Sequence, residues 1–266
     1  MIIIGEKING FIKRTMEAIE AKDEAYIKEL AVKQTAGGAD YIDVCAGTMP
    51  DVERDTMEWL MNLVQDAVDT PLSVDSSDPQ VIVDMLPLAK KPGLVNSISK
   101  EAGKTELVFP AIEGTEWKVV ALTCNNEGIP NDAETKFEIG KQIIEEAASY
   151  GIGLDRIFID PCVTTLATTQ DCLISFIGAM RLLREAYPGV QFTSGLSNIS
   201  FGMPYRKAIN MQFLALALYE GMDSAIIDPM SADMQAVLHS VEALLGKDDY
   251  CMNYLSAFRE GLFGAK

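Results

Sequence analysis

Eight short β-rich runs alternate with longer helical patterns along the chain, and this alternation restricts the fold more than any single motif does. The strands read at residues 2–5, 41–44, 72–74, 93–95, 118–123, 156–159, 191–196 and 225–227. Between them lie segments long enough for crossover helices. Residues 51–69 carry Met57, Leu60, Val64 and Ala67 at helical spacing, with acids near the start. Residues 131–150 open on Asn-Asp, align Phe137, Ile143, Ile144 and Ala147 on one face, and stop at Gly151. Residues 164–187 and 205–220 are patterned alike, the latter between Pro204 and Gly221. Eight strand–helix units in 266 residues fit a (β/α)8 TIM barrel of the α/β class better than an open doubly wound sheet. A dinucleotide-binding sheet would want Gly-x-Gly-x-x-Gly after the first strand, and Gly5-Glu6-Lys7-Ile8-Asn9-Gly10 does not supply it. The segment after Gly10 is expected to hold two helices with a break near Asp23, and residues 250–263 one short C-terminal helix. The expected organisation is a single barrel domain, residues 1–266.

Composition narrows the partners. A hydrophobic fraction of 48% suits one large core. The formal charge of −17 disfavours nucleic acid and anionic membranes, though it leaves room for a small anionic ligand met by local Lys and Arg. The longest apolar run, residues 213–219, is too short to span a bilayer. The N-terminus has neither a basic region nor a long apolar segment, so no secretory signal is expected. Cys45, Cys124, Cys162, Cys172 and Cys251 form no Cys-x-x-Cys pair and read as reduced thiols of a cytoplasmic protein.

The strands share one property at their C-terminal ends. The first strongly polar residue at or just after each is Glu6, Asp43, Asp75, Asn96, Asn125, Asp160, Asn198 and Asp228. In barrel enzymes this face carries the chemistry, so the eight would line one pocket. Any single Asp or Asn there is as readily a turn former or helix cap. Eight caps in a row are much less expected. The ring has no His or Lys, the only histidine, His239, lies in a late helical pattern, and Cys45 and Cys124 have no third soft ligand in pattern. No metal site is therefore expected, nor a Schiff-base lysine at a strand end. Acids and neutral amides suit a ligand rich in N–H donors and ring nitrogens, and a pterin is such a ligand. Its N3–H and 2-amino group form a fork that one carboxylate accepts in bidentate fashion.

Several motifs in order then carry a resemblance across nearly the whole chain. They are Ile4-Gly5-Glu6-Lys7-Ile8-Asn9-Gly10, Gly37-Gly38-Ala39-Asp40, Val74-Asp75-Ser76, Val95-Asn96-Ser97, Gly128-Ile129-Pro130, Ile159-Asp160-Pro161 and Gly195-Leu196-Ser197-Asn198-Ile199-Ser200. The sequence resembles the methyltetrahydrofolate:corrinoid protein methyltransferases, whose pterin-binding barrel is shared with cobalamin-dependent methionine synthase and dihydropteroate synthase. The resemblance implies that Asp75, Asn96 and Asp160 hold the pterin and that Asn198 lies beside N5, the atom that carries the methyl group. Glu6, Asn9, Asp43 and Asn125 would complete the floor and rim. Arg206 falls where the family has a basic residue, to face the folate tail, the partner, or simply a salt bridge. Cys45 stands where relatives have Asn. Phe201, a further candidate contact for the folate tail or the partner, departs from the acetogen-type enzyme and matches the methionine-synthase-like Ser-Asn-x-Ser-Phe pattern.

The implied reaction moves a methyl group between N5 of tetrahydrofolate and the cobalt of a corrinoid. Asn198 would strengthen a hydrogen bond to N5 as charge develops, and Asp75 is a candidate path for the N5 proton. The chain carries no Asp-x-His-x-x-Gly motif, so the corrinoid is expected on a separate protein. The direction expected is methylcorrinoid to tetrahydrofolate in a catabolic demethylation pathway. Alternatives are the acetyl-CoA-pathway direction, a non-catalytic folate-binding protein, dihydropteroate synthase, and a barrel aldolase or isomerase using Asp75 and Asp160. A homodimer is a further family expectation, with residues 57–64 as one apolar surface that core packing explains equally well.

Overall fold

The computed structural model describes residues 1–101 and 103–264. Its eight strands are β1 Ile2–Asn9, β2 Tyr41–Cys45, β3 Leu72–Asp75, β4 Leu94–Lys100, β5 Lys118–Asn125, β6 Ile157–Asp160, β7 Gln191–Phe192 and β8 Ser224–Ile227. All neighbouring pairs are parallel, in the order β7-β6-β5-β4-β3-β2-β1-β8. The ring closes between β7 and β8. There Asp223 N donates to Phe192 O at 3.1 Å, Ile226 N donates to Ser194 O at 2.9 Å, and Gly195 bridges Ile226. The helices around it are α1 Lys13–Glu20, α2 Glu24–Ala36, α3 Pro50–Ala67, α4 Pro79–Met85, α5 Lys104–Ile112, α6 Ala133–Ser149, α7 Cys172–Ala186, α8 Arg206–Tyr219, α9 Ala232–Leu244 and α10 Met252–Glu260. The expected break between the first two helices falls at Asp23, whose carboxylate caps α2 by accepting from Tyr26 N at 3.1 Å.

Strand parity sorts the side chains into two cores. Residues facing outward join the helices in one large cluster, in which Ile42, Val44, Val74, Val95, Val119 and Ile157 are buried. Residues facing inward form a separate plug of Ile4, Leu94, Val120 and Phe158, with Tyr41, Leu122 and Ile226 packed on it. Phe158 is fully buried there, a placement that stabilises by roughly 1.5–3 kcal/mol. Because side chains alternate with period two, the next inward positions above the plug are Glu6, Asp43, Asp75, Asn96 and Asp160. The apolar plug thus becomes the foundation of a polar cup.

Three expectations are corrected. The seventh strand pairs only over Gln191–Phe192, because Leu196–Ser200 turns into a 3₁₀ segment immediately above the closure. The helix expected from residue 164 begins at Cys172. Before it, Leu166 N donates to Ile199 O at 3.0 Å and Thr165 Oγ1 donates to Phe201 O, so this stretch braces the 3₁₀ segment instead of coiling. Met57, Leu60 and Val64 are fully buried in the outer core, so they offer no dimer surface. The C-terminal helix forms as α10. Among the described residues no helix is long and apolar enough to cross a membrane.

Candidate active site

The floor of the cup is a network of buried acids and amides on β2, β3 and β4. Asp43 Oδ1 accepts from Ser73 Oγ at 2.6 Å and from Asn96 Nδ2 at 3.0 Å. Asp75 lies against Asp43 and against the thiol of Cys45. Burial raises the pKa of both acids, and the adjacent Asp43 charge pushes that of Asp75 well above the carboxylate range. Two like charges in one dry site do not both ionise, so Asp75 is held neutral and can donate. The same burial and the same acids push the Cys45 thiol up and keep it protonated.

The β1 wall departs from regular strand geometry. Ile4 packs in the inner plug and Ile8 in the outer cluster, although an even spacing should put both on one face. A β-bulge explains it: Gly5 pairs with Ile42 and Ile8 with Val44, so three steps on β1 match two on β2. Glu6 already faces the cup by parity, and the extra residue lets Lys7 join it, so both line the cavity. Two buried polar side chains hold the bulge. Gln34 Oε1 accepts from Lys7 N at 2.9 Å, and Thr15 Oγ1 donates to Lys7 O at 3.0 Å. Gly5 makes room for that grip, since a Cβ there would meet Gln34 Oε1 at 2.6 Å. Lys7 Nζ lies 3.3 Å from Asp228, whereas Glu6 has no direct partner among the described residues. Burial is the main cause that raises Glu6 to a pKa of about 7. The neighbouring Asp228 and Asp43 add to the rise, and Lys7 and Arg206 oppose it.

On the far side, Asp160 is tied to the backbone. Its Oδ1 accepts from Cys162 N at 2.8 Å and its Oδ2 from Gly195 N at 3.1 Å. Burial nevertheless raises its pKa to about 6. The buried Lys136 steadies this corner by donating to Cys162 O at 3.0 Å. The 3₁₀ turn above it carries Asn198, which has no side-chain partner among the described residues. The Asn198 amide nitrogen packs so close to Gly195 that a Cβ would meet it at 3.0 Å. Arg206, at the start of α8, holds the same turn. Its Nη2 donates to Ser197 O at 2.8 Å and its Nε to Ser200 Oγ at 3.0 Å, and the guanidinium lies 5.7 Å from the Phe201 ring centre.

One cavity of about 650 Å³ gathers most of the expected residues: Glu6, Asn9, Asp43, Asp75, Asn96, Asn198, Arg206 and Asp228. Asp160 backs the wall at Gly195 without lining the cavity. Phe201 is exposed at the rim outside the lining. Asn125 stands apart, since its carbonyl oxygen accepts from Glu127 N at 2.9 Å and its backbone closes a turn with Gly128. Sequence reasoning missed Lys7, Lys207, Asn210 and Ser231, which also line the cavity. Asn210 has a buried, unpartnered carbonyl oxygen, and its spacing of four from Arg206 on one helix was the available signal. His239 falls on α9 as expected, and its buried Nδ1 has no hydrogen-bond partner among the described residues. Among the described residues no group of three or more His, Cys, Asp or Glu could hold a metal ion.

The cup offers an acceptor (Asp43), an acid with a raised pKa (Asp75) and bifunctional amides (Asn96, Asn198), a set matched to a flat heterocycle with mixed edges. The family profile described as pterin binding enzyme matches residues 13–228. Over 266 residues the chain is 48% identical to methylcorrinoid:tetrahydrofolate methyltransferase from Eubacterium limosum, covering 99% of this chain and 98% of that protein. Over 243 residues it is 32% identical to methionine synthase from Mycobacterium tuberculosis, covering 85% of this chain and 20% of that protein. Dihydropteroate synthase from Xanthomonas albilineans, solved with 7,8-dihydropteroate, superimposes with a TM-score of 0.68 over 92% of both chains at 18% identity, a likeness of fold. With a profile match over most of its length and these relatives, the chain belongs to the pterin binding enzyme family.

Proposed function

We propose that this enzyme transfers a methyl group from a corrinoid, carried on a separate protein, to N5 of tetrahydrofolate. The observation that carries the reading is the 48% identity, along the full chain, to a methylcorrinoid:tetrahydrofolate methyltransferase. The cup supports it chemically. Asp75 and Asn96 supply donors and acceptors that a pterin edge requires, with Asp160 holding the wall behind them, and burying any of those edges unpaired would cost about 1–3 kcal/mol each. Among the described residues the Asn198 side chain has no partner at the mouth, where its amide can meet N5. There it follows the change of charge on that nitrogen by hydrogen bonding, without itself titrating. Asn9 and Asn210 extend the polar lining. Asn125 is left with a turn to hold. Arg206 acts on the Asn198 turn and not as a free cation for the folate tail.

The methyl group reaches cobalt or leaves it at the open mouth, so the corrinoid protein docks over the strand C-termini. A catabolic demethylation pathway, a cytoplasmic location and a homodimer belong to the same reading. The test mixes the purified protein with methylcob(III)alamin and tetrahydrofolate and follows the corrinoid spectrum. Enzyme-dependent loss of the methyl–cobalt band with formation of methyltetrahydrofolate is expected. Tight folate binding with no turnover, even with the cognate corrinoid protein, would instead identify a folate-binding protein.

A further inference from the structure

Methylation of N5 leaves a proton to be removed, and the geometry of the cup assigns an acceptor. This inference rests on the transfer reaction proposed above. The carboxylates in and behind the cup differ in what already occupies them. Asp43 accepts from Ser73 and Asn96. Asp75 shares its buried site with Asp43 and keeps its proton, which makes it a poor acceptor. Asp160 accepts two backbone N–H groups. Asp228 is paired with Lys7 and accepts from Met230 N at 2.9 Å. Glu53, behind β3, accepts from Ser76 Oγ at 2.6 Å. Among the described residues Glu6 is the one carboxylate that lines the cavity without a direct partner, and the bulge beside it, pinned by Gln34 and Thr15, occupies the neighbouring backbone.

We propose that Glu6 is the proton-accepting catalytic residue of methyl transfer to tetrahydrofolate, and the proton donor to N5 in the reverse direction. The N5 lone pair forms the new N–CH₃ bond while the cobalt–carbon bond breaks, its electron pair remaining on cobalt, which passes from Co(III) to Co(I). The excess proton on N5 then moves to the Glu6 carboxylate and on to solvent. Lys7 on β1, Asp43 on β2, Asp228 after β8 and Arg206 on α8 are the charged groups that bear on Glu6. Burial outweighs the two cations and poises the carboxyl at about 7, where it both accepts and releases a proton near neutrality.

The test is the pH profile of transfer from methylcob(III)alamin to tetrahydrofolate by the intact protein, alongside Glu6→Gln and Glu6→Asp. The wild-type rate is expected to rise with pH through about 7 and then level. Glu6→Gln should lose that limb and be slower by about 100-fold at pH 8, with the tetrahydrofolate Kd within about threefold. Glu6→Asp should keep a limb at a reduced rate. Carbon-13 NMR of Glu-labelled wild type, with the Glu6 resonance identified by its absence in Glu6→Gln, should follow the same titration. Wild-type turnover with an unaltered limb and rate in Glu6→Gln overturns Glu6 alone, as does a Glu6 titration near 4.5. No transfer by the wild type at any pH overturns the proposed reaction itself.

Discussion

On the β6 side of the barrel mouth, Asp160 gives both carboxylate oxygens to backbone N–H groups, and Asn125 gives its carbonyl oxygen to its own turn. On the β8–β1 side, Glu6 and the amide of Asn198 have no partners among the described residues, one beside a bulge and the other on a 3₁₀ turn. The residue types are the same, and so is their position at strand ends. The difference lies in the backbone. At Asp160 the N–H groups of Cys162 and of Gly195, which opens the 3₁₀ turn, satisfy the side chain. At Glu6 and Asn198 the neighbouring backbone is engaged elsewhere, and the side chain is left for a ligand. Gln34, Thr15 and Arg206 take the backbone groups that the distortions would otherwise leave open.

The sharpest way to break this contrast is to remove the free amide. Asn198→Ala is expected to lower kcat for methyl transfer by about 100-fold while tetrahydrofolate affinity changes by less than about threefold, measured by steady-state kinetics and fluorescence titration. A large loss of affinity at unchanged kcat would make Asn198 a binding residue only. Gln34→Leu leaves the Lys7 N–H buried without an acceptor and should cost about 1–3 kcal/mol of stability in urea unfolding. If stability is unchanged, the bulge does not depend on Gln34. Asp160→Asn keeps the shape but sets an amide NH2 against one of the two backbone N–H groups, so it disturbs the wall at Gly195 and its effect should fall on affinity. A tetrahydrofolate Kd weakened by about tenfold is expected, with kcat nearly intact.

Acidity gives a subtler probe of the two sides. Asp160 and Glu6 have folded-state pKa values of about 6 and about 7, both raised from ordinary carboxylate values. A raised carboxyl pKa contributes stability that is present at low pH and lost as pH rises through the folded value. The melting temperature should therefore be higher at pH 5.5 than at pH 8 by roughly 2–4 °C, and Glu6→Gln should remove its share. Asn125→Ala should change least: it loosens one turn, costs under about 1 kcal/mol, and leaves methyl transfer within twofold of wild type.

The sequence by itself determined the barrel and most of the cup. Strand-and-helix alternation is a local signal, carried by side-chain periodicity, and it located all eight strands. The polar strand ends at Asp43, Asp75 and Asn96 followed from the same parity, because an inward position above an apolar plug faces the cup. The tertiary structure decided what parity does not encode. The β1 bulge is gripped by Gln34, twenty-seven residues from its Lys7 partner in the chain, so neither Lys7 in the lining nor the freedom of Glu6 was legible. The shortened seventh strand depends on the brace from Thr165 and Leu166. The pKa of Asp75 is raised because folding buries it and then brings Asp43 beside it. Periodicity records which way a side chain points, whereas occupancy and charge depend on neighbours brought together from distant parts of the chain.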